Sequence, residues 1–346
     1  MKESPFLDAC RRRPTAYTPV WLMRQAGRYM PSYRAVRKRA SILEVCKTPA
    51  LACQVTVDAW HRLGVDAAII FADLLLVLEP LGFRVRFVAG EGPVIDNPVR
   101  SPGDVARLRR PGPGALVETP AAIRMVRQAL PANVPVIGFA GAPFTLASYA
   151  IEGGASRDFS RTRAFARAHP TAFRTLLSRI GAVSAAFLRA QITAGCEAVQ
   201  VFDSWVGCLS ERDYRTHAFA PTQKLFAALP RGIPAIHFGT GNAHLLAAMK
   251  EAGGNVIGLD WRVDLEKTWR ALGPRVAVQG NLDPSALLGS RAELRREAQR
   301  VLDAAGGRRG HVFNLGHGVL PQTPPDNARA LVDFVHEESA RRRGNP

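Results

Sequence analysis

Eight short apolar runs alternate with helical segments along the chain, and this predicts an α/β fold, a single (β/α)8 TIM barrel. The runs are continuously apolar and rich in β-branched residues, as strands buried on both faces are. Alternation with helices implies right-handed crossovers and hence a parallel sheet. Length agrees, since eight βα units occupy most of 346 residues. No linker, repeat or composition shift divides the chain, so residues 1–346 read as one catalytic domain. A doubly wound open sheet is the competing architecture, and it would expect a glycine-rich first βα turn.

The first run is YTPVWLM (17–23). Thr48-Pro49 then reads as an N-cap followed by proline at the first helical position, opening a helix to about Leu63. DAAIIF (66–71) is the second run. The stretch from 74 to 133 is longer than a crossover needs. Within it FRVRFV (83–88) alternates, and PVIDNPV (93–99) follows a Gly90-Glu91-Gly92 turn, so an inserted hairpin is expected after strand two. A helix over 121–130 leads into VPVIGFA (134–140), and a long one from about Thr171 to Ala194 leads into EAVQVF (197–202). Helices over 214–229 and 243–252 flank IPAIHF (233–238). NVIGLD (255–260), VAVQGN (276–281) and HVFNLG (311–316) complete the set, with helices over 265–271, 292–305 and 326–342.

Composition excludes several classes. Apolar residues make up 47 % and charged residues 22 %, the balance of an ordinary globular protein. No apolar run reaches the length of a membrane span, so no membrane partner is expected. The first twenty residues carry two acids and no continuous apolar stretch, which argues against a secretory signal. Five cysteines without a CxxC pair leave an odd thiol, so a reducing cytoplasmic setting is expected. The net charge is +17, from 46 Lys plus Arg against 29 Asp plus Glu, and arginine supplies most of it. Such a charge suits a polyanionic partner, or arginines spread over solvated helix faces. No RNP motif or zinc finger accompanies it, and the basic clusters end with Arg11-Arg12-Arg13 and Arg341-Arg342-Arg343. Nucleic acid is therefore not expected as a partner.

In a barrel of this type chemistry sits just past the C-terminal ends of the strands. Those positions hold Arg24-Gln25-Ala26-Gly27-Arg28, Asp73, Gly141 to Thr145 with Tyr149, Asp203-Ser204, His237, Asp260, Asn281 and His317. Arg24 and Arg28 flank the small pair Ala26-Gly27, a clamp for carboxylate or phosphate if it overhangs a barrel mouth. Asp73 lies between two apolar runs, where a carboxylate must be ion-paired or functional. His317 stands between two glycines, as a ligand-facing residue would. His237, within its run, reads as a core histidine, and only position commends Tyr149 and Ser204. No lysine falls at a strand end, and HExxH, P-loop and GxSxG patterns are missing, so no cofactor or metal is expected.

The motifs PVWLMRQAGRYMPSYR (19–34), GFAGAPFTLASYAIEGGASRDF (138–159), VQVFDSWVG (199–207), GNLDP (280–284) and FNLGHGVLPQTPPDN (313–327) resemble the uroporphyrinogen decarboxylase family. The resemblance extends from about residue 4 to residue 338. It implies a (β/α)8 barrel, commonly a homodimer, that removes the four acetate carboxyl groups of uroporphyrinogen III without a cofactor. The product is coproporphyrinogen III, on the route to haem and chlorophyll. It also implies that Arg24, Gln25, Ala26, Gly27 and Arg28 form a substrate-binding loop, that Asp73 is essential, and that Tyr149, Ser204 and His317 contact substrate. In the implied chemistry Asp73 supplies an anion near the pyrrole nitrogens. Arg24, Arg28 and His317 supply cations, and Arg24 with a relayed water is the expected proton source. Met30 stands where the family commonly has leucine. A zinc- or corrinoid-linked methyltransferase of the same superfold is the alternative; such enzymes carry His-x-Cys where this chain has His237-Phe238-Gly239.

Overall fold

A computed structural model of the chain describes residues 4–88, 92–112 and 114–344. Its central sheet is parallel and seven-stranded: β1 (Ala68–Ile69), β4 (Val136–Gly141), β5 (Ala198–Asp203), β6 (Ala235–Gly239), β7 (Val256–Gly258), β8 (Ala277–Gln279) and β9 (His311–Val312), neighbours in that order. Each strand starts inside one of the apolar runs, with β4, β5 and β6 ending one residue past it, and between successive strands of the sheet the chain returns through helices. The remaining strands, β2 (Val85–Val88) and β3 (Gly92–Ile95), pair antiparallel, with Val85 opposite Ile95. Gly90 and Glu91 of the expected turn lie outside the described residues.

The first apolar run departs from expectation, since it carries one bridge, Val20 to Phe313, and no ladder of its own. The reason lies in its donors. Pro19 has no N–H. Val20 N–H donates to the Asp66 carboxylate at 2.6 Å, and Met23 N–H donates to the Asn314 side chain at 2.9 Å. Backbone bonds nonetheless tie the run on both sides: Phe313 N–H to Pro19 O (2.8 Å) and Asp66 N–H to Val20 O (2.8 Å). Side chains also meet across the inside of the curled sheet. Trp21 Nε1 donates to Gln279 Oε1, and Gln279 Nε2 donates to Gln200 Oε1, each at 2.9 Å.

Helices cover the outer face, and local signals set their ends. Pro49–Leu63 starts with proline at its first position and stops at Gly64, whose φ of 64° is left-handed. Pro170–Ala194 buries Phe173, Leu176, Leu177, Ile180, Phe187 and Leu188 along one stripe at i, i+3, i+4 spacing. Arg291–Ala305 opens with a Ser290/Glu293 capping box and ends at Gly306. Among the elements that were not anticipated, two stand out. Asp73 caps a 3-10 helix over Leu74–Leu81, and Pro143–Glu152 is an α-helix starting directly after β4. Both matter, because both carry residues to one end of the sheet.

Candidate active site

At the C-terminal end of the strands lies a cavity of about 890 Å3. Phe139, Phe202 and Phe238, from three adjacent strands, point into it and pack edge to face, with centroids 5.6 and 6.0 Å apart. This makes an apolar surface suited to a flat ring system. The helix Pro143–Glu152 then contributes Thr145 and Tyr149, which share a face at i, i+4 spacing and both border the cavity. Tyr149 stacks on Trp205, ring centroids 3.7 Å apart and planes 27° apart. Burial and the neighbouring Asp73 charge push the Tyr149 hydroxyl up to about 12, so it stays a proton-bearing donor at neutral pH. Ser204 and Thr240 line the same wall, with the Thr240 hydroxyl donating to Ser204 O at 2.5 Å.

Asp73 sits at the end of the second apolar run. One carboxylate oxygen accepts from Leu75 N–H at 2.8 Å, which holds the side chain at the cap of the 3-10 helix. Burial raises its pKa, and the Leu75 hydrogen bond and the charge of Arg24 pull against that rise. Among the described residues no cation forms an ion pair with it, so the salt-bridge role open to an aspartate in this position is not filled. An ionisable group lining a cavity with a pKa raised by burial is a functional-site signature.

Arg24 and Arg28 both border the cavity, and neither is ion-paired among the described residues. Arg24 has φ of 63°, a left-handed residue in the tight turn after the first run. Its side chain lies across Gly318, where a Cβ would stand 2.4 Å from Arg24 Cδ. His317 lies alongside. Its Nδ1 accepts from Gly318 N–H at 2.7 Å, which leaves the proton of the neutral ring on Nε2. Burial and the Arg24 charge lower its pKa. That differs from the expectation of a cationic His317: burial first, and then the charges of Arg24 and Arg262, disfavour a positive charge on the ring.

Gln25 alone of the expected site residues does not border the cavity. Fully buried, it accepts from Leu22 N–H at 3.3 Å and donates to Ala67 O at 3.3 Å, bracing the loop from beneath. Ala26 and Gly27 border the cavity between the two arginines. The sequence reading missed Arg37, Tyr33, Trp205 and the phenylalanine surface, all of which line it, and named Thr145 only by its place at a strand end. Phe87, Val88, Gly92 and Pro93 bring the β2–β3 pair over it. His237 is elsewhere, facing outward against Phe226 at 5.0 Å.

An α/β enzyme with an apolar, ring-sized cavity at the strand ends, guanidinium groups at its mouth and one unpaired carboxylate within is a class built for a flat polyanion. Comparison with known sequences is specific. Residues 1–338 match the uroporphyrinogen decarboxylase (URO-D) family, and the chain belongs to it. Uroporphyrinogen decarboxylase of Roseiflexus sp. is 52 % identical over 347 residues, covering 98 % of this chain and all of the relative. That of Sorangium cellulosum is 52 % identical over 336 residues, with 96 % and 95 % covered. Among solved structures, a methyltransferase from Methanosarcina mazei superposes with a TM-score of 0.78 at 18 % identity, covering 97 % of this chain and 99 % of its own. A B12-independent methionine synthase from Shewanella gives 0.58 at 11 %, covering 94 % and 97 %. At those identities the two structures share the fold alone. The chain is a carboxy-lyase of the decarboxylase family, and the methyltransferase alternative has the weaker support.

Proposed function

We propose that residues 1–346 form one closed (β/α)8 catalytic domain that binds uroporphyrinogen III in this cavity and converts it to coproporphyrinogen III. Closure is supported by Val20, bonded to the second run on one side and bridged to Phe313 on the other. The observation that carries the reading is Asp73, an unpaired carboxylate in a cavity lined by aromatic rings and rimmed by arginines.

A pyrrole acetate does not lose carbon dioxide readily, because the electron pair left behind has no acceptor. Protonation at the adjacent pyrrole carbon makes the ring a cation. The C–C bond to the carboxylate then breaks, its electron pair entering the ring as carbon dioxide departs. A second proton, delivered to the exocyclic methylene, gives the methyl, and the ring carbon gives up its proton. Each turn takes up one proton net.

Asp73 accepts hydrogen bonds from pyrrole N–H groups and stabilises the ring cation. At an effective dielectric near 20, opposite charges about 4 Å apart attract by roughly 4 kcal/mol. Such an attraction is worth about a thousandfold in rate if it develops only in the transition state. Arg24 and Arg28 hold the side-chain carboxylates, with Arg24 and a relayed water as proton source, and Arg37 extends the cationic rim. Tyr149 and His317 donate hydrogen bonds, Ser204 contacts substrate, Ala26 and Gly27 let it approach the backbone, and Gln25 holds the loop rather than the ligand. A homodimer and a cytoplasmic location belong to the same reading; no helix among the described residues is long and apolar enough to cross a membrane.

Anaerobic incubation with uroporphyrinogen III, oxidation and separation of the porphyrins test this directly. Coproporphyrin accumulating without added cofactor supports it, and octacarboxylic porphyrin recovered unchanged refutes it.

A further inference from the structure

Behind the cavity wall, between the sheet and its helices, the fully buried polar atoms without a partner among the described residues include Asp203 Oδ2, His237 Nε2 and Tyr214 Oη. Buried polar atoms are rarely left so, and a charged one least of all. Asp203 ends β5. Its other oxygen accepts from the Thr145 hydroxyl at 2.9 Å, and that hydroxyl in turn accepts from Trp205 N–H at 3.1 Å.

His237 settles the chemistry of the gap. Its Nδ1 faces two carbonyls, Met249 O and Gly253 O, each at 3.2 Å, so Nδ1 carries the proton. In the neutral ring Nε2 is then an acceptor. It lies 3.9 Å from Asp203 Oδ2, also an acceptor, too far for a direct hydrogen bond. Two facing acceptors need a donor with two hydrogens between them. Tyr214, near enough for the Asp203 charge to act on it, offers a complementary donor, a phenol whose proton is held on by burial and by that charge. It opens a π-helical turn, Tyr214–Ala218, a distortion that often marks functional positions.

We propose that one ordered water closes this cluster, donating to Asp203 and His237 and accepting from Tyr214, and that the cluster positions the Trp205–Tyr149 wall through Thr145. The chain of contacts runs from a buried triad to two residues that border the substrate cavity. Asp203, His237 and Tyr214 are thus positioning residues, acting on the reaction by fixing where Tyr149 and Trp205 stand.

Three measurements on the full chain decide this. In imidazole 15N NMR at pH 7, with His237→Gln used for assignment, His237 is expected neutral with its proton on Nδ1; a doubly protonated ring overturns the proposal. A high-resolution crystal structure is expected to show a water within hydrogen-bond distance of both Asp203 Oδ2 and His237 Nε2, and a dry gap overturns it. Tyr214→Phe keeps the ring volume and removes only the hydroxyl. It is expected to weaken the near-UV circular dichroism of the stacked Tyr149–Trp205 pair and to lower kcat by about five- to tenfold, with KM within about twofold. A spectrum and kcat matching the parent contradict the proposal. The kinetic arm rests on the decarboxylase reading. The ring protonation, the water and the spectrum are read without substrate, so they decide the cluster even if the chain fails to decarboxylate.

Discussion

Arg24 and Arg28 stand at the cavity mouth with no carboxylate paired to them among the described residues, so their charge is available to a ligand. Arg24→Ala and Arg28→Ala are expected to raise KM by about tenfold or more each, since a bidentate guanidinium–carboxylate contact outweighs diffuse surface charge. Arg341→Ala serves as control: that side chain is exposed and paired with Glu338 at 2.9 Å. Steady-state kinetics check this, and equal effects from all three would mean that bulk charge attracts the substrate. The Asp73 carboxylate sets a pH dependence. Its pKa is raised and its ionised form is the one needed, so kcat/KM falls as pH drops through a midpoint above the ordinary value near 3.9. A pH–rate profile of Asp73→Asn should lack that limb. At this scale the sequence was informative where a residue's type clashed with its surroundings, as Asp73 does between two apolar runs. It was silent on direction. Gln25 sits between two cavity residues yet turns inward, where its amide bonds Leu22 N–H and Ala67 O beneath the loop. Arg37, within RAVRKRA, looks like any solvated helix face until the fold brings it to the rim.

The elements that carry the site are short, and two of them escaped the sequence reading for one reason. Pro143–Glu152 and Leu74–Leu81 are so uniformly apolar that neither shows a helical period, and each begins without a spacer after a strand-like run. The Ala142-Pro143 start and Gly153 stop were the available signals. Turn geometry at this level makes a paired prediction for the glycines around His317. A Cβ on Gly318 meets the flexible Arg24 side chain at 2.4 Å, so Gly318→Ala should fold normally and raise KM about tenfold by displacing that guanidinium. A Cβ on Gly316 meets Trp261 backbone nitrogen at 2.0 Å, which cannot yield, so Gly316→Ala should cost roughly 1–3 kcal/mol of stability. Denaturant unfolding beside kinetics separates the two, and a stability loss at Gly318 alone would contradict the assignment.

At the scale of the molecule, the alternation of runs and helices was legible from end to end, because strands buried on both faces leave an unbroken apolar record. The first run was the exception: its apolar record is intact, but proline and side-chain acceptors take the place of a ladder. Asp66 is the residue that makes this arrangement hold. It accepts from Val20 N–H at 2.6 Å, Tyr17 Oη at 2.8 Å and His336 Nε2 at 2.7 Å, joining the first run, the second and the C-terminal helix. Asp66→Ala leaves those donors half-buried and unpaired and is expected to cost about 2–4 kcal/mol. Denaturant unfolding of the purified variant reads this, and stability matching the parent would show that the sheet edge is held without it. Of the cations behind the +17 charge, some such as Arg329 are held in exposed ion pairs, whereas Arg24, Arg28 and Arg37 line the cavity.

The central claim is that Asp73 is kept as an unpaired anion for catalysis rather than for folding. Its raised pKa means the native state binds a proton more tightly than the unfolded chain, so stability falls as pH rises through that window. At neutral pH the ionised group therefore costs stability. Asp73→Asn removes the charge, keeps the size, and separates the two roles in one variant when single-turnover decarboxylation and Tm are measured together. The account predicts a rate about 10²- to 10³-fold lower, a small change in KM and a Tm equal to or above the parent's. A rate per folded molecule near the parent's, with a lowered Tm, would contradict it.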